Sequence, residues 1–223
     1  MDLELKGRVA LVSGSTAGIG LAIVESLARE GVEQVVALVP RVDILVNNVG
    51  IFEPKPFEEI PDEDWLRLFD VNVMSGVRLS RHYLRGMREK DWGRIVFVSS
   101  ESALQIPVEM IHYGVTKTAQ LSVARGIAEG LRGTNITANS VLPGPTRSEG
   151  VEVFLKDLSR QQGVDVATVE REFFKSARPS SLIQRFARTE EVADLVAFVC
   201  SPRASGINGT ALRVDGGVVR AVA

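Results

Sequence analysis

Arg8-Val9-Ala10-Leu11-Val12-Ser13-Gly14-Ser15-Thr16-Ala17-Gly18-Ile19-Gly20 decides the fold. A short apolar run rich in valine stops at glycines, and from Ile19 to Glu30 apolar residues recur at helical spacing. The segment therefore reads as strand, glycine turn, helix. Glycines at 14, 18 and 20 permit a tight turn, close approach of a ligand and close packing of the helix. Free amides at the start of that helix, aided by its dipole, face an anion, so the turn reads as a phosphate loop for a nucleotide.

Working outward, further strand-like runs are Val42 to Asn47, Gly93 to Ser99, Ile136 to Leu142 and Thr210 to Asp215. Helical patterns fill the spaces between: Pro61 to about Lys90, His112 to about Leu131, and Thr189 to Val199. Nearly continuous apolar strands alternating with helices predict a parallel sheet covered on both faces. The expectation is an α/β, Rossmann-type doubly wound sheet in one domain, residues 1–223. Residues 148–181 mix charges with Phe154, Phe173 and Phe174 after the Pro143-Gly144-Pro145 turn, and read as a helical lid over a substrate.

The composition, 45% hydrophobic and 24% charged, is that of a globular protein with a sizeable core. A net charge of -2 offers a polyanion or an acidic membrane surface no attraction, so nucleic acid and membrane are not expected partners. The single Cys200, expected to be a small buried apolar residue, and the lack of zinc spacing fit a reducing, cytoplasmic compartment and a metal-free site. Met1 to Gly7 lacks the regions of a signal peptide, and no apolar run is long enough to span a bilayer.

Tyr113-Gly114-Val115-Thr116-Lys117 is the strongest chemical signal, because a four-residue spacing puts the phenol and the ammonium on one helix face. A fixed cation favours phenolate, so Lys117 is expected to lower the pKa of Tyr113 and prepare it to exchange a proton. Asn47-Asn48-Val49-Gly50 ends the second strong strand, on the same carboxyl edge as the glycine loop, where two amides can brace the backbone. His112 points about 100° away from Tyr113 and reads as a surface or interface residue. Glu101 and Glu109 could line a pocket, although loop acids are more often simply solvated.

Gly14-x-x-x-Gly18-x-Gly20, Asn47-Asn48-x-Gly50, Ser99-Ser100, Tyr113-x-x-x-Lys117 and Pro143-Gly144 occur in this order. Together they resemble the short-chain dehydrogenase/reductase family, from Lys6 to Gly217. The resemblance implies Tyr113 as acid/base, Lys117 as the residue that tunes it and holds the nicotinamide ribose, and Ser100, thirteen positions before Tyr113, as the donor to the substrate oxygen. It implies Asn72 as support for a helix distortion and a water relay to the lysine, with Ser99 only a neighbour. It also implies an NAD(P)(H) site built from Gly14, Ser15, Thr16, Gly18, Ile19, Gly20, Asn47, Asn48, Val49, Gly50, Tyr113, Lys117, Pro143, Gly144 and Thr146. A homotetramer or homodimer through the helices at 61–90 and 112–131 is implied as well.

The chain departs from the family between the glycine loop and Asp43. Only 29 residues, Gly14 to Val42, lie there, and a helix takes about half. The remainder, Gly31 to Arg41, can form one strand or one short helix; Val32, Val35, Val36 and Val39 fit a helical stripe better. The family's second and third strands thus read as missing, either because a segment is absent near residues 28–32 or because the loss is genuine. The first is favoured, since losing those strands would expose sheet edges. The acid that would mark NAD, or the base that would mark NADP, falls in the same region, so the choice between them stays open; Arg41 lies near the nominal distance, but just before a strand. Smaller departures are Ser13 for threonine, Val49 for alanine and Ala103 for glycine.

The expected function is interconversion of a carbonyl and a secondary alcohol by hydride transfer, with a small-molecule substrate. The alternative is a catalytically silent nucleotide-binding or sensing protein on the same fold.

Overall fold

The computed structural model describes residues 2–34 and 41–222. β1 (Val9–Val12) runs into the glycine turn and α1 (Gly18–Arg29), as the opening segment predicts. β3 (Ile44–Asn47), β4 (Gly93–Val98) and β5 (Ile136–Pro143) are buried throughout, which explains why they read as unbroken apolar runs rather than alternating ones. β8 (Ala211–Val214) closes the sheet.

With β2 at Glu33–Gln34, the six described strands of this sheet pair in the order β2-β1-β3-β4-β5-β8, all parallel. Glu33 and Gln34 align with Val9 and Ala10. This corrects two expectations. Glu33 and Gln34 are strand, not part of a helical stripe, and the second strand is present, with Glu33–Gln34 its described residues. Gly31 adopts a left-handed φ of 82° and Val32 is buried, so the chain turns straight off α1 into the sheet. No described strand lies outside β2; Val35, Val36 and Val39 fall outside the described residues.

Because β2 and β3 flank β1 on opposite sides, the strand order reverses at β1. The crevice at the carboxyl ends of β1 and β3 is the topological switch point, where ligands bind in open α/β sheets. α1 and α7 (Thr189–Cys200) cover one face, joining Ile23, Leu27, Val192 and Val196 to Ile44 and Val46 in one core. α3 (Ser75–Lys90) and α4 (Ile111–Glu129) cover the other, where Tyr83, Met87 and Ala124 meet Leu45, Ile95 and Phe97. Each such Leu or Ile burial is worth about 1.5–3 kcal/mol. Cys200 is fully buried, and burial pushes its thiol up to about 12, so it packs as an apolar residue.

The single helix expected from Pro61 to Lys90 is three segments: α2 (Asp62–Phe69), a π-helical turn (Asp70–Met74), and α3. The 148–181 segment forms α5 (Glu149–Gln162) and α6 (Val166–Ser176), whose Leu155, Val169 and Phe174 make a small separate core with Phe186. Two-residue strands β6 (Thr146–Arg147) and β7 (Ala187–Arg188) tie the base of this excursion to the start of α7. No described helix is long and apolar enough to cross a membrane.

Candidate active site

The glycine loop is held open by its own backbone and by β3. Gly14 has φ 65°, and its carbonyl accepts the Asn48 side-chain amide at 3.0 Å. A Cβ on Gly20 would stand 2.2 Å from that carbonyl, so only glycine lets α1 start this close to the turn. Ser13 Oγ accepts the backbone amides of Asn48 and Val49 at 3.0 and 3.3 Å, fixing the ends of β1 and β3 together. Asn47 turns the other way, donating to Ser80 Oγ at 3.3 Å. Thus Asn48 braces the loop, while Asn47 anchors α3.

Ala17, the residue before α1, gives no side-chain cap, which leaves the first-turn amides available. The Gly18 amide already donates to a carboxylate oxygen of Glu149, at 2.7 Å, from the first turn of α5. An amide that holds one oxyanion fits a pyrophosphate oxygen in the same place, so the loop suits a dinucleotide. Farther along the carboxyl edge, Pro143 ends β5, Gly144 abuts the Asp215 backbone so closely that a Cβ would lie 2.6 Å from its carbonyl oxygen, and buried Thr146 donates to the Gly144 carbonyl at 2.9 Å.

The residues expected to carry the chemistry meet at this edge. Lys117 is 4% exposed, donates to the Val98 carbonyl at 3.0 Å, and lies 3.3 Å from where a Gly50 Cβ would be. Asn72, 1% exposed, sits at the centre of the π turn. Its side chain exchanges hydrogen bonds with the Ile51 backbone in both directions, at 2.8 and 2.9 Å, and donates to Thr116 Oγ1 at 2.9 Å, while its own carbonyl accepts from Gln120. The distortion expected around Asn72 is thus present, held by the loop after β3 and by α4. Ser99 donates to the Lys117 carbonyl at 2.8 Å and is occupied within the fold. Ser100 stands one residue past it and accepts the Ser102 amide at 3.1 Å.

Tyr113, half-buried, packs edge-on to Phe52 at 6.1 Å, and the Lys117 ammonium is 5.6 Å from its ring centroid. The expected lowering of its pKa by Lys117 is not what the structure has. Burial pushes the phenol up to about 12; the nearby Ser100 hydroxyl acts the other way, the Glu101 charge adds to the rise, and Arg178 opposes it. Burial likewise brings Lys117 down to about 8. For both groups the cost of burying charge is the largest cause of the shift. The phenol is therefore held in its protonated form at neutral pH.

Two further expectations change. His112 is fully buried rather than on the surface, edge-on to Trp65 at 5.8 Å, with neither ring nitrogen hydrogen-bonded among the described residues; burial lowers its pKa. Glu101 is not solvated: it is 4% exposed and accepts from Ser100 Oγ at 2.6 Å and from Arg178 Nε at 3.0 Å. Arg178 lies 77 residues away, just past α6, a partnership that no spacing along the chain reveals. Arg41 precedes β3 at the amino edge of the sheet, opposite the glycine loop, so its agreement with the nominal distance is accidental.

Residues 25–219 match a family model described as enoyl-(acyl carrier protein) reductase. The chain is 45% identical, over the whole of both proteins, to the "uncharacterized oxidoreductase YvaG" of Bacillus subtilis. The chain belongs to the short-chain dehydrogenase/reductase family. It is 29% identical to the 3-oxoacyl-[acyl-carrier-protein] reductase FabG of Aquifex aeolicus, covering 98% of this chain and all of that one. The L-sorbose reductase of Gluconobacter frateurii, solved with NADPH and L-sorbose, superposes with a TM-score of 0.93 at 30% identity, with both chains fully covered. This member of the family is an NAD(P)-dependent oxidoreductase on a Rossmann-type fold. The match to YvaG spans 263 aligned positions against 223 residues here, in keeping with a chain shortened relative to its relatives.

Proposed function

We propose that this dehydrogenase/reductase interconverts a small-molecule carbonyl and a secondary alcohol, with Tyr113 as the proton donor and acceptor. The observation that carries the reading is the convergence of Asn72, Ser100, Tyr113 and Lys117 on the sheet edge that also bears the glycine loop. Gly14, Ser15, Thr16, Gly18, Ile19 and Gly20 would hold the pyrophosphate, the 47–50 segment the adjoining ribose, and Lys117 and Thr146 the nicotinamide end; bound NAD(P)H supplies the hydride. In reduction, Ser100 and Tyr113 polarise the carbonyl oxygen, and Tyr113 passes its proton to the nascent alkoxide. Oxidation runs the same path backwards, and the phenol must first be deprotonated, so it gains from higher pH. Lys117, its amine held by the Val98 carbonyl, would bind the nicotinamide ribose. Asn72 holds the turn that leads from α2 to α3, and through Thr116 the start of α4.

The test is Tyr113→Phe, assayed for NADPH and NADH oxidation with a panel of ketones. Loss of at least ~100-fold in kcat/KM with cofactor binding retained is expected. Undiminished turnover would overturn the assignment, and cofactor binding without turnover of any carbonyl by the unmodified protein would favour a sensor.

A further inference from the structure

Ser100 has one hydroxyl proton, and here it is directed at Glu101. Oγ donates to Oε2 at 2.6 Å while accepting the Ser102 amide at 3.1 Å. The carboxylate is buried, and its other oxygen takes the Arg178 Nε–H at 3.0 Å. Arg178 belongs to the lid, two residues past α6; its Nη1 donates to the Ala177 carbonyl at 2.8 Å and stands 3.7 Å from Glu109. It also lines a cleft of about 450 Å³ together with Gln105, Ile106, Val108 and Ser176. The acid, the serine and the lid are thus one hydrogen-bonded chain.

For Ser100 to donate to a substrate oxygen, its hydroxyl must turn away from Glu101 Oε2. A buried carboxylate oxygen that loses its donor carries an appreciable desolvation penalty, which the substrate would have to overcome. A hydroxyl on the carbon beside the reacting one removes the penalty, because it supplies a replacement donor. A plain ketone or an acyl thioester has none to offer, and a carboxylate in that position would face the charge of Glu101. Arg178 keeps its hold on Oε1 throughout, so the exchange changes no net charge.

We propose that Glu101 is a specificity-determining residue, whose carboxylate passes from Ser100 to a substrate hydroxyl and so selects α-hydroxy ketones and vicinal diols. This rests on the carbonyl–alcohol reading above. Hydroxyacetone and methoxyacetone form the test pair: both carry an electron-withdrawing oxygen beside the carbonyl, but only the first has a hydroxyl to donate.

In the unmodified protein, kcat/KM for hydroxyacetone should exceed that for methoxyacetone by about tenfold or more. In Glu101→Ala that ratio should fall to near one, with the volume-matched Glu101→Gln between the two; a purely structural role would lower both substrates together and leave the ratio standing. Melting temperature and NADPH fluorescence establish that each variant is folded and binds cofactor. A ratio near one in the unmodified protein, or a high ratio that survives Glu101→Ala, overturns the assignment while leaving carbonyl reduction intact. Failure of the unmodified, NADPH-binding protein to reduce any ketone removes the parent reading, and this one with it.

Discussion

Lys117 shows how function costs stability at a single residue. Its amine is buried at the carboxyl edge with the Val98 carbonyl as its described hydrogen-bond partner, and its pKa falls from 10.5 to about 8. Between those values the unfolded chain binds more protons than the folded one, so stability from this group rises with pH from about 8 to 10.5. Below about pH 8 the buried charge destabilises the fold, by an amount on the order of 3 kcal/mol. Lys117→Met keeps the apolar stem and removes the charge, at the cost of one hydrogen bond. The variant should be more stable than the parent at pH 7 by roughly 1–2 kcal/mol, with the gain shrinking as pH passes 8, while activity falls at least ~100-fold. Urea denaturation at pH 7 and pH 10 checks this; a variant less stable at pH 7 would refute it. At this scale the sequence was legible where chemistry is local. Tyr113 and Lys117 share one helix face, which spacing shows, while Ser100 was proposed by the resemblance, just past the end of β4. Glu101 and Arg178 were not legible as a pair, because burial and a partner 77 residues distant decide what a loop acid does.

Among the elements, β1, α1, β3, β4, β5 and α7 follow from periodicity, because each pairs a regular pattern with a clear stop. The region from α2 to α3 does not, since its break depends on tertiary partners. Asn72 can hold a π turn only because Ile51, Thr116 and Gln120 come to meet it. Leu66 at 70% exposure and Phe69 at 41% on α2, with Val115 at 44% on α4, leave an apolar surface that the fold itself does not cover. We take this surface as the contact between copies of the chain in a homodimer or homotetramer. Leu66→Glu combined with Phe69→Glu should lower the mass in sedimentation equilibrium to that of one chain, with the far-ultraviolet circular dichroism unchanged. A monomeric parent protein, or a double variant that stays assembled through the same range of concentration, would rule that contact out.

For the whole molecule, the consequence of a shortened amino-terminal half falls on the cofactor. The reversal of strand order at β1 places the glycine loop and the candidate site residues along one edge. The flank beyond β1, where β2 stands, is where a doubly wound fold meets the adenosine ribose. Discrimination between the two cofactors there rests on an acid that binds the ribose hydroxyls or a base that binds a 2′-phosphate. Val35-Val36-Ala37-Leu38-Val39-Pro40, the residues that follow β2 in the chain, contain neither. Ala17 in the glycine loop adds no base, and Arg41 belongs to the opposite edge of the sheet. The register sets Glu33 level with Val9, at the amino end of β1, and residues 35–40 carry no charge in the sequence, so NADH and NADPH should bind with dissociation constants within about tenfold of each other, a difference under ~1.4 kcal/mol. Ligand present at ~100 times its dissociation constant should stabilise the protein by about 2.7 kcal/mol in either case, seen as melting-temperature rises of similar size. A preference much larger than tenfold, in either direction, would mean that a charged group from elsewhere in the chain reaches the ribose, and would send the search to the basic residues around α5.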